Sequence, residues 1–213
     1  MTPARIFFIL FLLLIAAMSA ARADAASMEV LAGGGTAASV DSSVGFYQVR
    51  VNIVQALAKR LDAFAGLEYT KSGEGEQDED YPNISNHARY SFYFPAAAFG
   101  LRYKLVARET FQLYLALGGV AGKVYYRTNF TDSDLTLLSE DHDSTYFIVP
   151  RFEVGVNYKI GERTALIAQM GVTGALPAFN AVVANKGTGT VEELKLNDGA
   201  EMFAFMLGLR YNY

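Results

Sequence analysis

Two groups of side chains in this sequence have types and spacing that could do chemistry. The first is the stretch HDS, in which His142 and Ser144 stand two positions apart. Residues two apart on an extended chain project from the same face, so the pair could act as base and nucleophile. Glu153, the acid that could orient the histidine, has the opposite parity and would project from the other face. His142 and Ser144 are therefore weak catalytic candidates, and we expect no enzyme.

The second group is a set of charged residues at alternate positions of strand-like segments. If the face that carries them is enclosed, burial requires that each charge be paired and hydrogen-bonded. The sequence then predicts a structural ion-pair network, with a gated path for protons or ions as the alternative. Glu29 and Asp62 are candidate partners. The predicted network comprises Arg50, Glu68, Arg102, Lys104, Arg151, Glu153, Lys159 and Arg210.

The elements that carry these charges are predicted from period-two alternation. In the final stretch, MFAFMLGLRYNY, every second residue is a large apolar group and the intervening ones are small or polar. A strand sends alternate side chains to opposite faces, so this segment has one wholly apolar face. Eight segments are interpreted as strands: 27–38, 44–57, 61–72, 96–105, one that starts at 111, 144–160, 164–176 and 200–213.

Connections between these segments alternate between long and short. The predicted loops are 39–43, 73–87, 128–143 and 177–199, and the predicted turns are 58–60, 106–110 and 161–163. Transmembrane barrels have this asymmetry, with short periplasmic turns and longer extracellular loops. A soluble barrel would place the large apolar rows inside, and eight strands enclose too little space for them. We predict an all-β, eight-stranded, antiparallel up-and-down transmembrane β-barrel.

The start of the chain is typical of an export signal. Arg5 precedes an apolar run that is shorter than a spanning helix, and small residues follow it in the pattern read by signal peptidase. We predict a signal peptide at 1–23, cleaved between 23 and 26, and a barrel domain at 24–213. The sequence has no cysteine, which excludes disulfides. Without Arg5 and Arg22, 16 basic residues face 22 acidic ones, a formal charge of −6, which offers nothing to nucleic acid.

The predicted mature chain resembles the small eight-stranded outer-membrane barrels typified by the OmpA membrane domain, OmpX and the opacity proteins. The resemblance lies in the signal peptide, the loop–turn rhythm and the C-terminal LGLRYNY, although Tyr213 stands where that family most often has Phe. It implies a monomer in the outer membrane of a Gram-negative cell, in contact with lipids and lipopolysaccharide. It also implies that the assembly machinery recognises the last strand. The predicted interfacial aromatic residues are Tyr103, Tyr158, Tyr211 and Tyr213.

The stretch that contains His142 and Ser144 is similar to part of the site of the outer-membrane lipid A deacylases. The parity of Glu153, and Thr145 in place of that family's asparagine, depart from the pattern. A lipid A-modifying hydrolase is therefore the weakest of three interpretations. A structural or adhesive surface protein is the first, and a narrow solute or ion channel is the second.

Acidic residues concentrate in two of the predicted loops. The stretches 73–88 and 128–143 hold five acidic residues each and no Lys or Arg. Carboxylates bind Ca²⁺ or Mg²⁺, but the spacing does not match the EF-hand, because position six from Glu74 is Glu79 and position twelve is Ser85. We expect no metal and no cofactor, and we interpret the loops as a surface for an extracellular ligand.

Overall fold

The structure is a computed structural model that describes residues 26–38, 43–81, 84–131, 137–177, 180–184, 191–195 and 199–213. The predicted signal peptide and its cleavage site lie outside these residues. In the described parts of 75–89, 130–143, 180–184 and 191–195 the structure describes the backbone alone.

Eleven strands make up the described part of the chain. They run antiparallel, and each pairs with a neighbour in the sheet or in a small hairpin. Their bounds are β1 Ala26–Ala38, β2 Ser43–Ala58, β3 Leu61–Ser72, β4 Gly75–Tyr81, β5 Ile84–Ala107, β6 Phe111–Thr131, β7 Leu137–Lys159, β8 Thr164–Thr173, β9 Asn180–Ala184, β10 Val191–Lys195 and β11 Glu201–Asn212.

Eight of these strands close into a barrel, which confirms the predicted fold class. The order is β3-β2-β1-β11-β8-β7-β6-β5, and β3 pairs with β5 to complete the circle. The last strand pairs with the first in unbroken register, from Ser27 opposite Asn212 to Ala38 opposite Glu201. The C-terminal strand therefore has a hydrogen-bonding partner on each side, and the terminus does not create a sheet edge.

The predicted strand bounds are wrong at one end of the barrel. β5 begins at Ile84 rather than at 96, and β4 lies within the predicted loop 73–87. The backbone ladder of β6 and β7 runs through most of the predicted loop 128–143, and β9 pairs with β10 inside 177–199. In β4 and in 128–143 polar and apolar residues do not alternate, so the pattern gave no signal there. Main-chain pairing with a neighbouring strand extends each element there.

We call the barrel end with the connections after β2, β5 and β7 the turn end, and the opposite end the hairpin end. The turn end has the short connections predicted from the sequence, such as 59–60. At the hairpin end, β4 continues along β5 up to Tyr81 opposite Ile84. The barrel wall therefore extends at the hairpin end into a taller sheet made of β4, β5, β6 and β7.

The barrel surface is apolar and its interior holds the charges. Leu67 and Leu117 point outward and are 67% and 68% exposed, while Arg50 and Arg102 point inward and are 1% and 0% exposed. A soluble protein has the opposite distribution, because apolar surface is costly in water. Among the described residues, the structure contains no helix long and apolar enough to cross a membrane.

Glycines in the wall allow close approach where a larger residue would collide. Gly33, Gly34 and Gly35 in β1 do not form a bulge, because β1 pairs in continuous register with both β11 and β2. A Cβ at Gly33 or Gly35 would instead run into the β11 backbone. At Gly155 a Cβ would meet the ring of Tyr114, which is buried in the lumen against that position.

The packing of Tyr114 on Gly155 gives a testable prediction. Gly155→Val should lower the free energy of unfolding by about 1–3 kcal/mol, because overpacking displaces a buried ring. Urea unfolding of the barrel in lipid vesicles measures the change. Gly45→Val is the matched control, because the nearest atom to its added Cβ is 3.9 Å away. Equal unfolding midpoints for the two variants would show that the packing of the Tyr114 ring on Gly155 does not contribute to the stability of the barrel.

Candidate functional site

Two arginines and two glutamates, contributed by three strands, fill the middle of the lumen. Arg50 Nε donates to Glu68 Oε2 at 3.0 Å and Arg50 Nη1 to Glu153 Oε1 at 2.6 Å. Arg151 binds Glu68 with Nη1 at 2.5 Å and Nη2 at 2.8 Å. All four residues are at most 4% exposed. We call Arg50, Glu68, Arg151 and Glu153 the middle ion cluster; its two positive and two negative charges balance.

A second group of charges lies nearer the turn end. Arg102 holds Glu29 with both terminal nitrogens, at 2.6 and 3.0 Å, and Lys104 Nζ is 2.7 Å from Asp62 Oδ1. Arg210 Nη1 approaches Glu29 Oε1 at 3.8 Å. We call Glu29, Asp62, Arg102, Lys104 and Arg210 the turn-end ion cluster. The structure thus brings Glu29 and Asp62 against the cations for which the sequence offered them as partners.

Tyr114 connects the two clusters. Its ring lies 4.1 Å from Arg102 Cζ, close enough for a cation–π contact. Its hydroxyl donates to Gln169 Oε1 at 3.1 Å, and Gln169 Nε2 donates to Glu153 Oε1 at 3.3 Å. A continuous chain of contacts therefore joins the turn-end ion cluster to the middle ion cluster.

Lys159, unlike the other residues of the predicted network, is not buried. It is exposed, and it lines a cavity of about 200 Å³ at the turn end together with Arg210, Gln112 and Asn157. Arg210 is 8% exposed and its Nε donates to Ser27 Oγ at 2.8 Å. β7 ends at Lys159, so water reaches the ammonium group that the sequence predicted for the lumen network.

Towards the hairpin end the lumen contains a cluster of buried aromatic rings, which the sequence did not predict, beside buried polar side chains such as Gln48 and Thr70. Phe94 is fully buried, packs edge-on against Phe147 at 5.1 Å and stacks with Phe92 at 6.2 Å. Phe92 in turn contacts the ring of Tyr126 at 6.3 Å. We call this group the aromatic plug; its members are Phe46, Tyr90, Phe92, Phe94, Tyr126 and Phe147.

A signal for the aromatic plug was present in the sequence. Tyr90, Phe92 and Phe94 have the same parity as Arg102, so the inward row of β5 continues upward without interruption. The signal was hidden because Tyr93, on the outward row, is also aromatic. Polar and aromatic residues alternate from Arg89 to Phe92, and the contrast by which strands are recognised breaks at Tyr93 and Pro95.

The four predicted interfacial tyrosines lie on the outer surface near the turn end. Tyr103, Tyr158, Tyr211 and Tyr213 are between 41% and 63% exposed, and the last two rings meet edge-on at 5.6 Å. Such rings are placed with an apolar body in lipid and a hydroxyl towards water. The arrangement fits an aromatic girdle at one boundary of the apolar band.

Ser144 and Glu153 lie on opposite faces of the barrel wall. Ser144 lies on β7 opposite Tyr125 and is half-buried, while the side chain of His142 lies outside the described set. Glu153 is inside the lumen, where Arg50 holds it. The barrel wall therefore separates Ser144 from Glu153.

Comparisons with known proteins rest on structure alone. No family model and no curated protein sequence matches the chain. A major outer membrane protein from Thermus thermophilus superposes with a TM-score of 0.53 and 16% identity, covering 88% of this chain and 99% of that one. Neisserial surface protein A (NspA) gives 0.50 and 13%, covering 88% and 97%. Ail of Yersinia pestis gives 0.44 and 10%, covering 89% and 99%.

The chain has the fold of the small outer-membrane β-barrels. In transmembrane barrels short turns are periplasmic and longer hairpins are extracellular. The turn-end ion cluster lies at the barrel end with the short turns, and the aromatic plug lies towards the end with the longer hairpins.

The middle ion cluster makes a prediction about stability. Glu68→Gln should lower the free energy of unfolding by about 3–5 kcal/mol, because it leaves two buried arginines without their shared carboxylate. Urea titration of the refolded barrel measures the loss. The matched control is Glu109→Gln, which makes the same chemical change at an exposed turn. Equal unfolding midpoints would mean that the lumen is wet enough to solvate both guanidinium groups.

Proposed function

We propose that the protein is an outer-membrane barrel with a closed lumen, and that its function at the cell surface is structural or adhesive. The observation that carries this proposal is the sheet at the hairpin end, where β4 to β7 continue beyond the apolar band. β4 is the last strand in the sheet order of the described residues, and β5 is its only partner in that order. A binding surface on a rigid sheet can be held without the ordering cost of a flexible loop.

The chemistry of this sheet favours a partner with a basic or cationic surface. β4 reads GEQDEDY, with Glu76, Asp78, Glu79 and Asp80 and no Lys or Arg. Charges on an edge strand suppress pairing with other copies of the chain. They also steer an oppositely charged partner towards the surface.

The proposal also includes the route to the membrane. A cleaved signal at 1–23 would direct export. The C-terminal strand, which ends in Tyr211, Asn212 and Tyr213, would be the segment recognised by the outer-membrane assembly machinery. A monomer is sufficient, because β1 and β11 close the barrel within one chain.

A narrow channel is the alternative function, and the lumen argues against it. The middle ion cluster and the aromatic plug fill the cross-section one above the other with buried side chains. An eight-stranded barrel leaves an interior just wide enough for side chains. The structure offers no comparable support for a lipid A hydrolase, because the wall separates Ser144 from Glu153.

Conductance tests the closed lumen. Refolded protein in planar bilayers should give no stable channels, because ions would have to cross both packed layers. A large porin reconstituted in the same way is the positive control. Steady currents on the nanosiemens scale would overturn the closed lumen and make the middle ion cluster a gate.

Substitutions in the acidic edge strand β4 test the adhesive role. The Asp78→Asn, Asp80→Asn double variant should bind several-fold more weakly to cationic host-surface components in a cell-adhesion or biolayer assay, with the loss disappearing at high salt. Glu109→Gln, Glu162→Gln is the matched control, since it removes two charges at the turn end. If both double variants adhere like the parent, the β4 surface is not the binding site.

A further inference from the structure

The outer surface has two aromatic boundaries whose separation matches a hydrocarbon layer. On β5, Tyr103 and Tyr93 both point outward, are 47% and 42% exposed, and lie ten residues apart. At about 3.3 Å per residue and a tilt of about 40°, that spacing spans roughly 25 Å along the barrel axis. Tyr93 therefore marks the boundary of the apolar band at the hairpin end.

Two lysines lie on the outer surface at this boundary. Lys71 is exposed on β3 and is paired in register with Tyr93. Lys123 projects outward from β6, with its ammonium nitrogen 5.0 Å from the ring centre of Tyr125 and 5.4 Å from that of Tyr146. Rings of Tyr93 and Tyr125 stack at 4.9 Å between the two lysines. We call Lys71, Tyr93, Lys123, Tyr125 and Tyr146 the basic–aromatic patch.

Among the residues whose side chains the structure describes, the outward-facing cations near the hairpin end are Lys71, Lys123 and Arg127, on β3 and β6. Outward positions near the tops of β1, β2, β8 and β11 hold residues such as Thr36, Tyr47, Val172 and Phe203. A general attraction to a charged leaflet would not require cations to cluster on neighbouring strands beside stacked rings, so this clustering favours a localised ligand.

The patch has the chemistry of a phosphate site in a membrane interface. An ammonium group has three donors and no acceptor, and a ring face satisfies only its charge. Phosphate oxygens are strong acceptors, and they lie where the hydrocarbon ends. The acidic residues begin beyond Lys71, at Glu74, and so lie on the aqueous side of the patch.

The distance between the lysines indicates how many phosphates the ligand carries. β5 lies between β3 and β6, so two strand spacings of about 4.8 Å separate the lysine-bearing strands. A single phosphate would have to draw both side chains over the tyrosines. A headgroup with two phosphates can bind one lysine with each phosphate, and neither side chain has to move over the tyrosine rings.

We propose that the basic–aromatic patch is a binding site for a diphosphorylated glycolipid headgroup of the outer leaflet. Lys71 and Lys123 each bind one phosphate, and the stacked Tyr93 and Tyr125 support the sugar backbone between them. This proposal rests on the outer-membrane location given above. It assigns one fixed lipid to the wall formed by β3, β5 and β6.

Native mass spectrometry of the folded barrel, titrated with diphosphoryl lipid A in dodecyl maltoside micelles, tests the site. The variant is Lys71→Gln, Lys123→Gln. Each cation near an anionic lipid contributes about fivefold in affinity, so the double variant should bind about 25-fold more weakly. Lys59→Gln, Arg163→Gln is the matched control, because it removes two exposed cations at the turn end. In micelles both ends of the barrel meet the same lipid, so the comparison isolates the position of the charge.

Three results would overturn the proposal. One is an equal loss of affinity in the two double variants, which would show that lipid binding depends only on the net charge of the protein. The others are undiminished binding of dephosphorylated lipid A, and phosphatidylglycerol binding as tightly as lipid A. Heat-modifiable migration on gels is followed in every sample. Loss of the folded band would count against the barrel itself, whereas a folded barrel without lipid selectivity would count only against the site.

Discussion

The structure depends on the requirement that backbone amides and carbonyls find partners without water. In hydrocarbon an unpaired backbone group costs several kcal/mol, so a sheet must close on itself. Pairing of β1 with β11 meets this requirement, and the unbroken register between them leaves no free edge at the ends of the chain. Closure also fixes which side chains share the lumen, because every second residue of each strand points into it.

Closure explains why the lumen contains both charge and aromatic rings. The space is too narrow for water to solvate a guanidinium, so each arginine must find a carboxylate on another strand. Glu68 accepts from both Arg50 and Arg151, and Glu29 accepts from Arg102 through two nitrogens. Towards the hairpin end, Phe94 and Phe147 pack against each other and need no hydrogen-bonding partner. Ionic layers fix the strands in one arrangement, and the apolar layer seals them from the outside.

The molecule is divided into a packed barrel and a sheet that protrudes from it. Substitutions in the lumen change how well the barrel holds together, whereas β4 and the tops of β5, β6 and β7 do not enclose the ion clusters. This separation lets the surface region vary in chemistry while the barrel persists. The two lysines beside Tyr93 and Tyr125 lie at the junction of these parts, where the wall leaves the lipid.

The sequence alone determined the fold class, the number of barrel strands and the parity of the lumen charges. Period-two alternation is a local property, and residues such as Arg102, Arg151 and Glu153 show it within a single strand. The odd spacing between Ser144 and Glu153 likewise places them on opposite faces of a strand. Only the tertiary structure decided which charges meet, because Arg50 contacts Glu153 across 103 positions of the chain. The tertiary structure also decided where the strands end. β5 and β6 are extended by pairing with each other, and the residue pattern of one strand holds no information on the length of the strand beside it.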